Sequence, residues 1–363
     1  MLNLTPEALK EKYQPKPLQV VETERQMVGA MFSPCGKSLV SGGYDGLLHR
    51  WDLTQEEIAE QDPIVGHQGW IQGCDFHPAD SRVFSGDSWG RLACYDYLQA
   101  KPEPIWAVES AHDGWLRDVA VSPDGTLVAS CGRDQQVRLW ATADGRKLHQ
   151  MSGHEVDVYQ VGFHPDGQYL VSADAHGVVR KWDVKTGQEA GEFDAGELFS
   201  VVRLQDVGGV HAMTFSGDGK LLLVGGTRPK NGGNVQGAPL VLVFDWETMK
   251  QLQVLEMGPT SDVYVRDIEF HPDGFLMVAT SGNPGAGKLH FQRLEDDKPF
   301  FTSSGFSNCH AISLHADGER LAVTMTSKGS NGNGRPLDKD GNYLGNSSPI
   351  HLFGRPEEEK EAS

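Results

Sequence analysis

Several sets of residues along this chain could do chemistry, and each has to be weighed against the element that would hold it. The run Gly282-Asn-Pro-Gly-Ala-Gly287-Lys288 has the G-x-x-x-x-G-K spacing of a phosphate loop. Such a loop needs Ser or Thr next, for Mg²⁺, and a helix whose N-terminal N–H groups face the phosphate. Here Leu289 follows, then the strand-like LHFQ, so a long turn between strands is expected. Asp338, Asp340 and Asn342 supply oxygens at positions 1, 3 and 5 of a calcium loop. Tyr343 then stands where Gly is required, and Pro349 where Glu closes the site, so a polar turn is the better reading. The five cysteines, Cys35, Cys74, Cys94, Cys131 and Cys309, form no CxxC and no CxxCH. Reduced, mostly buried thiols are expected, and covalent haem is excluded.

Internal repetition outweighs all of these. Seven turn tetrapeptides recur: SPCG from Ser33, HPAD from His77, SPDG from Ser122, HPDG from His164, SGDG from Ser216, HPDG from His271 and HADG from His315. Their spacings are 44, 45, 42, 52, 55 and 44 residues. Each follows an apolar stretch and precedes an apolar or alternating run such as TLVASCG or QYLVSAD. A third run then closes on an aromatic: Trp51, Tyr95, Trp140, Trp182, Phe244, Phe291 and Phe353. Short β-branched segments divided by Gly, Pro and Asp turns read as strands. Three or four strands per unit of ~45 residues is the signature of a propeller blade.

These units resemble the WD-repeat family, whose GH…SPDG…LASxGxDxxVxLWD pattern residues 111–140 follow closely. The resemblance covers about residues 20–353 and is strongest in units one to four. Units five to seven lack the Gly-His pair and carry Phe in place of Trp, but turn, strand and aromatic stay in register. The resemblance implies an all-β, seven-bladed propeller. It also implies a buried tetrad of His, Ser or Thr, turn Asp and Trp, matched fully by His112, Ser130, Asp134 and Trp140. The match is partial at His67 with Ser85, at His154 with Ser172 and Trp182, and at Ser41 with Asp45 and Trp51. In units two and four, Trp89 and His176 take the place of the turn Asp. A His–Ser–Asp set invites a hydrolase reading, but one arrangement recurring in several units is scaffolding.

Strand counting predicts how the ring closes. Unit seven ends on its third strand at 350–353, and the LQVVE segment at 18–22 is the right length to be its outer partner, leaving no open edge. The expected organisation is an N-terminal extension at 1–16, one propeller at 17–354 and an acidic tail at 355–363.

Aligning the units on the innermost strand places two residues per blade at one rim of the channel, the top. They include Trp70, Trp115, Arg117, Tyr159, Tyr264 and Arg266, and the residue before the turn Asp adds Tyr44 and Arg133. Trp, Tyr and Arg are the residue types that dominate binding hot spots. The long insertions at 227–239, 283–288 and 327–349 fall on the same face and are expected to form mobile walls. His211 and His310 share the same innermost-strand position, but in blades five and seven, and no carboxylate joins them there, so no catalytic metal is expected.

Charge narrows the partners. The 32 Lys and Arg against 50 Asp and Glu leave −18, a field that repels phosphate backbones and anionic membranes. No apolar run spans a bilayer, and the start MLNLTPEALKEKY has no signal-peptide pattern, so a cytoplasmic protein is expected. The expected function is a non-catalytic scaffold that binds a protein or peptide on the top face, as a monomer or within a complex. No cofactor or nucleic acid is expected. The alternative is an enzyme or small-ligand binder using the channel mouth.

Overall fold

The computed structural model describes residues 4–202, 205–230, 236–282, 286–306, 308–326 and 347–355. The calcium-like segment at 338–342, most of the 327–349 insertion and the acidic residues after 355 lie outside these. Seven four-stranded antiparallel sheets follow one another along the chain. Blade three is representative, with strands Leu116–Val121, Leu127–Gly132, Gln136–Ala141 and Lys147–Ser152 from the channel outwards.

The recurring turn tetrapeptides join the first and second strands at the bottom face. In blade three the Ser122 hydroxyl donates to Asp124 Oδ1 at 2.6 Å and accepts from the Leu127 N–H at 3.0 Å. Gly125 completes the turn at φ 73°, a left-handed conformation that a side chain would strain. Where His replaces Ser, its ring reaches the turn glycine of the next blade. His164 Nε2 donates to the Gly219 carbonyl at 2.9 Å, His271 to Gly318 at 2.9 Å, and His315 to Gly36 at 3.0 Å. The last of these joins blade seven to blade one.

The outer strand of blade seven comes from the other end of the chain. Lys16–Val21 runs antiparallel to Ile350–Gly354, with Val21 opposite Ile350 and Lys16 opposite Gly354. Beside this pairing, Ser348 Oγ accepts from the Met27 N–H at 3.0 Å and Thr23 Oγ1 accepts from the Ser348 N–H at 3.0 Å.

Three features differ from the sequence reading. The N-terminal extension contains a helix, Pro6–Tyr13, capped by Thr5 with Pro at its start. A helix of this length is marginal alone; Leu9 and Tyr13 seat it among Phe275, Phe291 and Phe300. The Tyr13 hydroxyl donates to Asp273 Oδ2 at 2.6 Å in the blade-six turn. A small hairpin, Phe199–Val202 with Gln205–Gly208, precedes blade five. Finally, the flanks of the 227–239 insertion are a continued ladder from Thr227 opposite Pro239 to Lys230 opposite Gln236, not a loose wall. Lys288 likewise lies in a strand, Gly287–Gln292, and pairs with Asp262 at 2.6 Å; no helix follows it to bind phosphate.

Candidate functional site

The tetrad residues come together in blade three. Trp140 Nε1 donates to Ser130 Oγ at 2.9 Å, His112 Nε2 lies 2.8 Å from the same oxygen, and His112 Nδ1 lies 2.8 Å from Asp134 Oδ1. Arg138 adds an ion pair to Asp134 at 2.7 Å. Burial opposes ionisation of Asp134, but the His112 bond and charge, and then Arg138, outweigh it and hold the carboxyl well below its usual range.

Blades two and four correct the sequence reading. Their carboxylates do not come from the positions of Trp89 and His176 but from two residues earlier, at the end of the second strand. His67 bridges Asp87 (2.9 Å) and Ser85 (2.7 Å), and His154 bridges Asp174 (2.8 Å) and Ser172 (2.7 Å). Gly132 holds the corresponding place in blade three, which is why the turn Asp is needed there. The signal was present as SGD and SAD in place of SCG. Blade one differs again: His49, from the third strand, contacts Asp45 at 3.2 Å and Glu60 at 2.6 Å, while Trp51 is buried.

These Asp–His–Ser sets have the connectivity of a hydrolytic triad. Ser85, Ser130 and Ser172 are each fully buried, however, and Trp140 and Trp182 donate into the oxygens of Ser130 and Ser172. No substrate carbonyl can approach such a nucleophile. Each set instead pins a loop at the top of its blade to the sheet.

The rim residues are aimed by one backbone device. All seven inner strands carry a bulge near their start. The residue skipped in the ladder is Gln72, Arg117, Tyr159, His211, Arg266 or His310, with Val28 and Gly29 in blade one. Bulges re-aim a side chain, and here they turn these residues into the channel mouth, a cavity of about 400 Å³. It continues into a channel of about 640 Å³.

Above blades one to three lies an aromatic stack. Tyr44 and Trp70 are parallel with centroids 5.0 Å apart, and Trp70 meets Trp115 edge-on at 5.6 Å. Trp70 remains 45% exposed, and Trp89, in the blade-two turn beside it, 71%. The Arg117 guanidinium lies between Trp115 (4.6 Å) and Tyr159 (4.8 Å) and pairs with Asp157 at 2.8 Å. Its charge is therefore already matched within the fold. Arg133 is exposed at the rim, where its N–H donates to the Trp115 carbonyl. Across the mouth, Arg266 lies 4.8 Å over Tyr264, and His211 packs edge-on to Tyr264 at 5.1 Å.

The channel is electrostatically graded. Burial, reinforced by Arg266, pulls His211 down to about 3 and His310 to about 4, so both imidazoles are neutral at pH 7. Deeper down, burial raises four carboxyls: Asp75 and Asp267 to about 6, Asp118 to about 7 and Glu269 to about 8. Each accepts a backbone N–H of the following blade: Val121 to Asp75 (2.7 Å), Val161 to Asp118 (3.0 Å), Ile312 to Asp267 (2.9 Å) and Leu314 to Glu269 (2.8 Å). They are rivets between blades. Among the described residues no three His, Cys, Asp or Glu side chains gather as a metal site, and no helix is long and apolar enough to cross a membrane.

Residues 16–52, 60–96, 104–141 and 145–183, each running from the outer strand of one blade through the three inner strands of the next, match the family model described as WD domain, G-beta repeat. The remaining three blades complete the same ring. These four segments are WD repeats. This WD-repeat protein is 26% identical over 245 residues to the guanine nucleotide-binding protein subunit beta of Arabidopsis thaliana, covering 64% of this chain and 59% of that protein. It is 28% identical over 158 residues to apoptotic protease-activating factor 1 of Rattus norvegicus, covering 43% of this chain and 12% of that one. It is also 26% identical over 199 residues to the WD repeat-containing protein SL1-17 of Schistosoma mansoni, covering 55% and 58%. This WD-repeat chain thus spans less than two thirds of the length of each of these relatives.

Proposed function

We propose that this chain is a non-catalytic interaction platform that binds a protein or peptide partner on its top face. The binding residues are Trp70, Trp115, Arg117, Arg133, Tyr159, Tyr264 and Arg266. The observation that carries this reading is the stacked, partly exposed Tyr44–Trp70–Trp115 array with Trp89 beside it. Large aromatics left in water on a folded surface mark interaction sites. Trp70 and Trp115 directly precede the bulged inner strands of blades two and three, which set them at the rim. The relatives named as a subunit support a role within an assembly. The buried state of each tetrad serine supports the non-catalytic half of the reading.

The test is the double variant Trp70→Ala, Arg133→Ala, compared with wild type in affinity capture followed by titration of each captured protein. Both residues are exposed, so the fold should be retained by circular dichroism. A true hot spot should lose about 2 kcal/mol or more, roughly 30-fold in affinity. A folded double variant that binds every partner as tightly as wild type would overturn the assignment.

A further inference from the structure

Among the described residues, each blade ends on an outer strand with no strand beyond it. Such an edge pairs with other chains unless something blunts it. Six of the seven edges are blunted. The outer strand of blade one is only Ala59–Glu60, and that of blade six only Phe301–Ser304. Blade two carries Pro104, blade three opens on Lys147, blade four holds Gly191 between glutamates, and blade seven opens on Lys16 and Pro17. Pro cannot donate to an added ladder, and Gly or charge weakens one. Blade five differs. Its outer strand, Gln251–Glu256, reads QLQVLE: six residues with no Pro, no Gly and no charge before the last. Its two glutamines are turned to neighbouring blades, Gln251 Nε2 to Glu197 at 3.0 Å and Gln253 Nε2 to the Leu294 carbonyl at 2.9 Å. Leu252 is skipped in the ladder, where Val243 pairs with Gln253 and Phe244 with Gln251, and stands 60% exposed beside partly buried Val254.

Charge identifies what the edge accepts. Exposed Lys250 immediately precedes the strand, and Glu256, largely exposed, ends it. Glu256 gives Oε1 to Arg228 at 2.9 Å, and its other oxygen has no partner among the described residues. An antiparallel pairing centred on Gln253 sets Lys250 opposite a second copy's Glu256, and Leu252 opposite that copy's Val254. Two-fold symmetry then repeats both contacts at the other end. The strand is its own complement. We infer that Gln251–Glu256 is a self-association edge, on which a second copy of this chain adds its own blade-five strand antiparallel and joins the two sheets. The contact lies at the outer end of the blade, so a dimer leaves both top faces open and offers a partner two of them at once. One strand pair covers less than the about 1,200 Å² of stable interfaces, so the dimer is weak and dissociates on dilution. Two chains of charge −18 also repel at a distance, and salt near 0.15 M confines that repulsion to about 8 Å.

Sedimentation velocity of the full chain, over a dilution series at about 0.15 M salt, reads the equilibrium. Wild type should pass from monomer to dimer as concentration rises. Leu252→Lys, at an exposed position, should stay folded by circular dichroism and weaken association at least ~10-fold. Lys250→Glu should weaken it likewise, and the double variant Lys250→Glu, Glu256→Lys should restore it, because the exchanged charges match again. Leu18→Lys, on the outer strand of blade seven, should dimerise as wild type does, and so should Trp70→Ala, Arg133→Ala. A wild type that stays monomeric throughout, or a folded Leu252→Lys that dimerises as tightly as wild type, overturns the edge. A double variant no tighter than Lys250→Glu alone overturns the antiparallel pairing. Loss of the dimer in Leu18→Lys moves the contact to blade seven and overturns the assignment to blade five.

Discussion

Replacing Asp174 by Ala removes one acceptor but strands three donors. The carboxylate takes the His154 Nδ1–H at 2.8 Å through one oxygen, and the backbone N–H groups of His176 (2.9 Å) and Val178 (3.0 Å) through the other. The side chain is almost wholly inaccessible. A buried donor left without a partner costs about 1–3 kcal/mol. The two backbone groups belong to a turn that water can partly reach, so the sum should be about 3–5 kcal/mol rather than the maximum. Unfolding entropy near 2.1 cal/mol/K per residue gives this chain roughly 0.8 kcal/mol/K, so the melting temperature should fall about 4–6 °C. Asp174→Asn should cost less. Its oxygen can keep the backbone bonds, and His154 can change tautomer to accept from the amide. The strain then moves to Ser172, which already receives the Trp182 N–H at 2.8 Å. Differential scanning calorimetry of wild type, Asp174→Asn and Asp174→Ala should rank them in that order. Equal melting of wild type and Asp174→Ala would refute the tetrad as a structural unit, and equal loss in the two variants would refute the donor count.

Asp134→Ala should cost less, about 1–3 kcal/mol, because Arg138 and solvent can reach the vacated site; calorimetry on the same series reads the difference. Glu269→Gln should change the pH dependence of stability. A carboxyl raised to about 8 in the fold, from 4.5, lets the unfolded chain ionise first, so its contribution is present below 4.5 and lost as pH rises towards 8. Between pH 5.5 and 7.5 the variant should therefore gain on wild type by up to about 1.4 kcal/mol per pH unit, and a constant difference in urea titrations would contradict this. Leu9→Ala should lose about 2–4 kcal/mol through the cavity left beneath the N-terminal helix, with top-face binding unchanged. Deleting residues 1–24 should lower the melting temperature much further, since it exposes the edge of Ile350–Gly354; equal melting of the full and shortened chains would refute the closure.

The blade count and the strand order were legible because turn, strand and aromatic recur at one period, and degenerate units keep the period after losing their signature residues. The carboxylates of blades two and four escaped because a side chain can reach the same space from Asp174 or from the position of Asp134. Linear spacing does not distinguish two routes to one point. The Pro6–Tyr13 helix escaped for another reason: its stability lies in phenylalanines more than 260 residues away, at Phe275, Phe291 and Phe300. The rim residues were legible by alignment, but not the pairing of Arg117 with Asp157 from the next blade. Electrostatic assignments of this kind need the ring to be closed first.

Pairing Val21 with Ile350 joins strands separated by roughly 330 residues of chain. On a ribosome adding about 5–20 residues per second, the first strand waits on the order of tens of seconds for its partner. Throughout that interval Lys16–Val21, with Leu18 and Val20 pointing to solvent even in the finished ring, is an unsatisfied β-edge on a nascent chain. Blades one to six can form in order from local contacts, but the ring cannot lock until the final strand clears the exit tunnel. Ring closure therefore waits on the synthesis of Ile350–Gly354, and until then Lys16–Val21 is a strand edge open to wrong pairing.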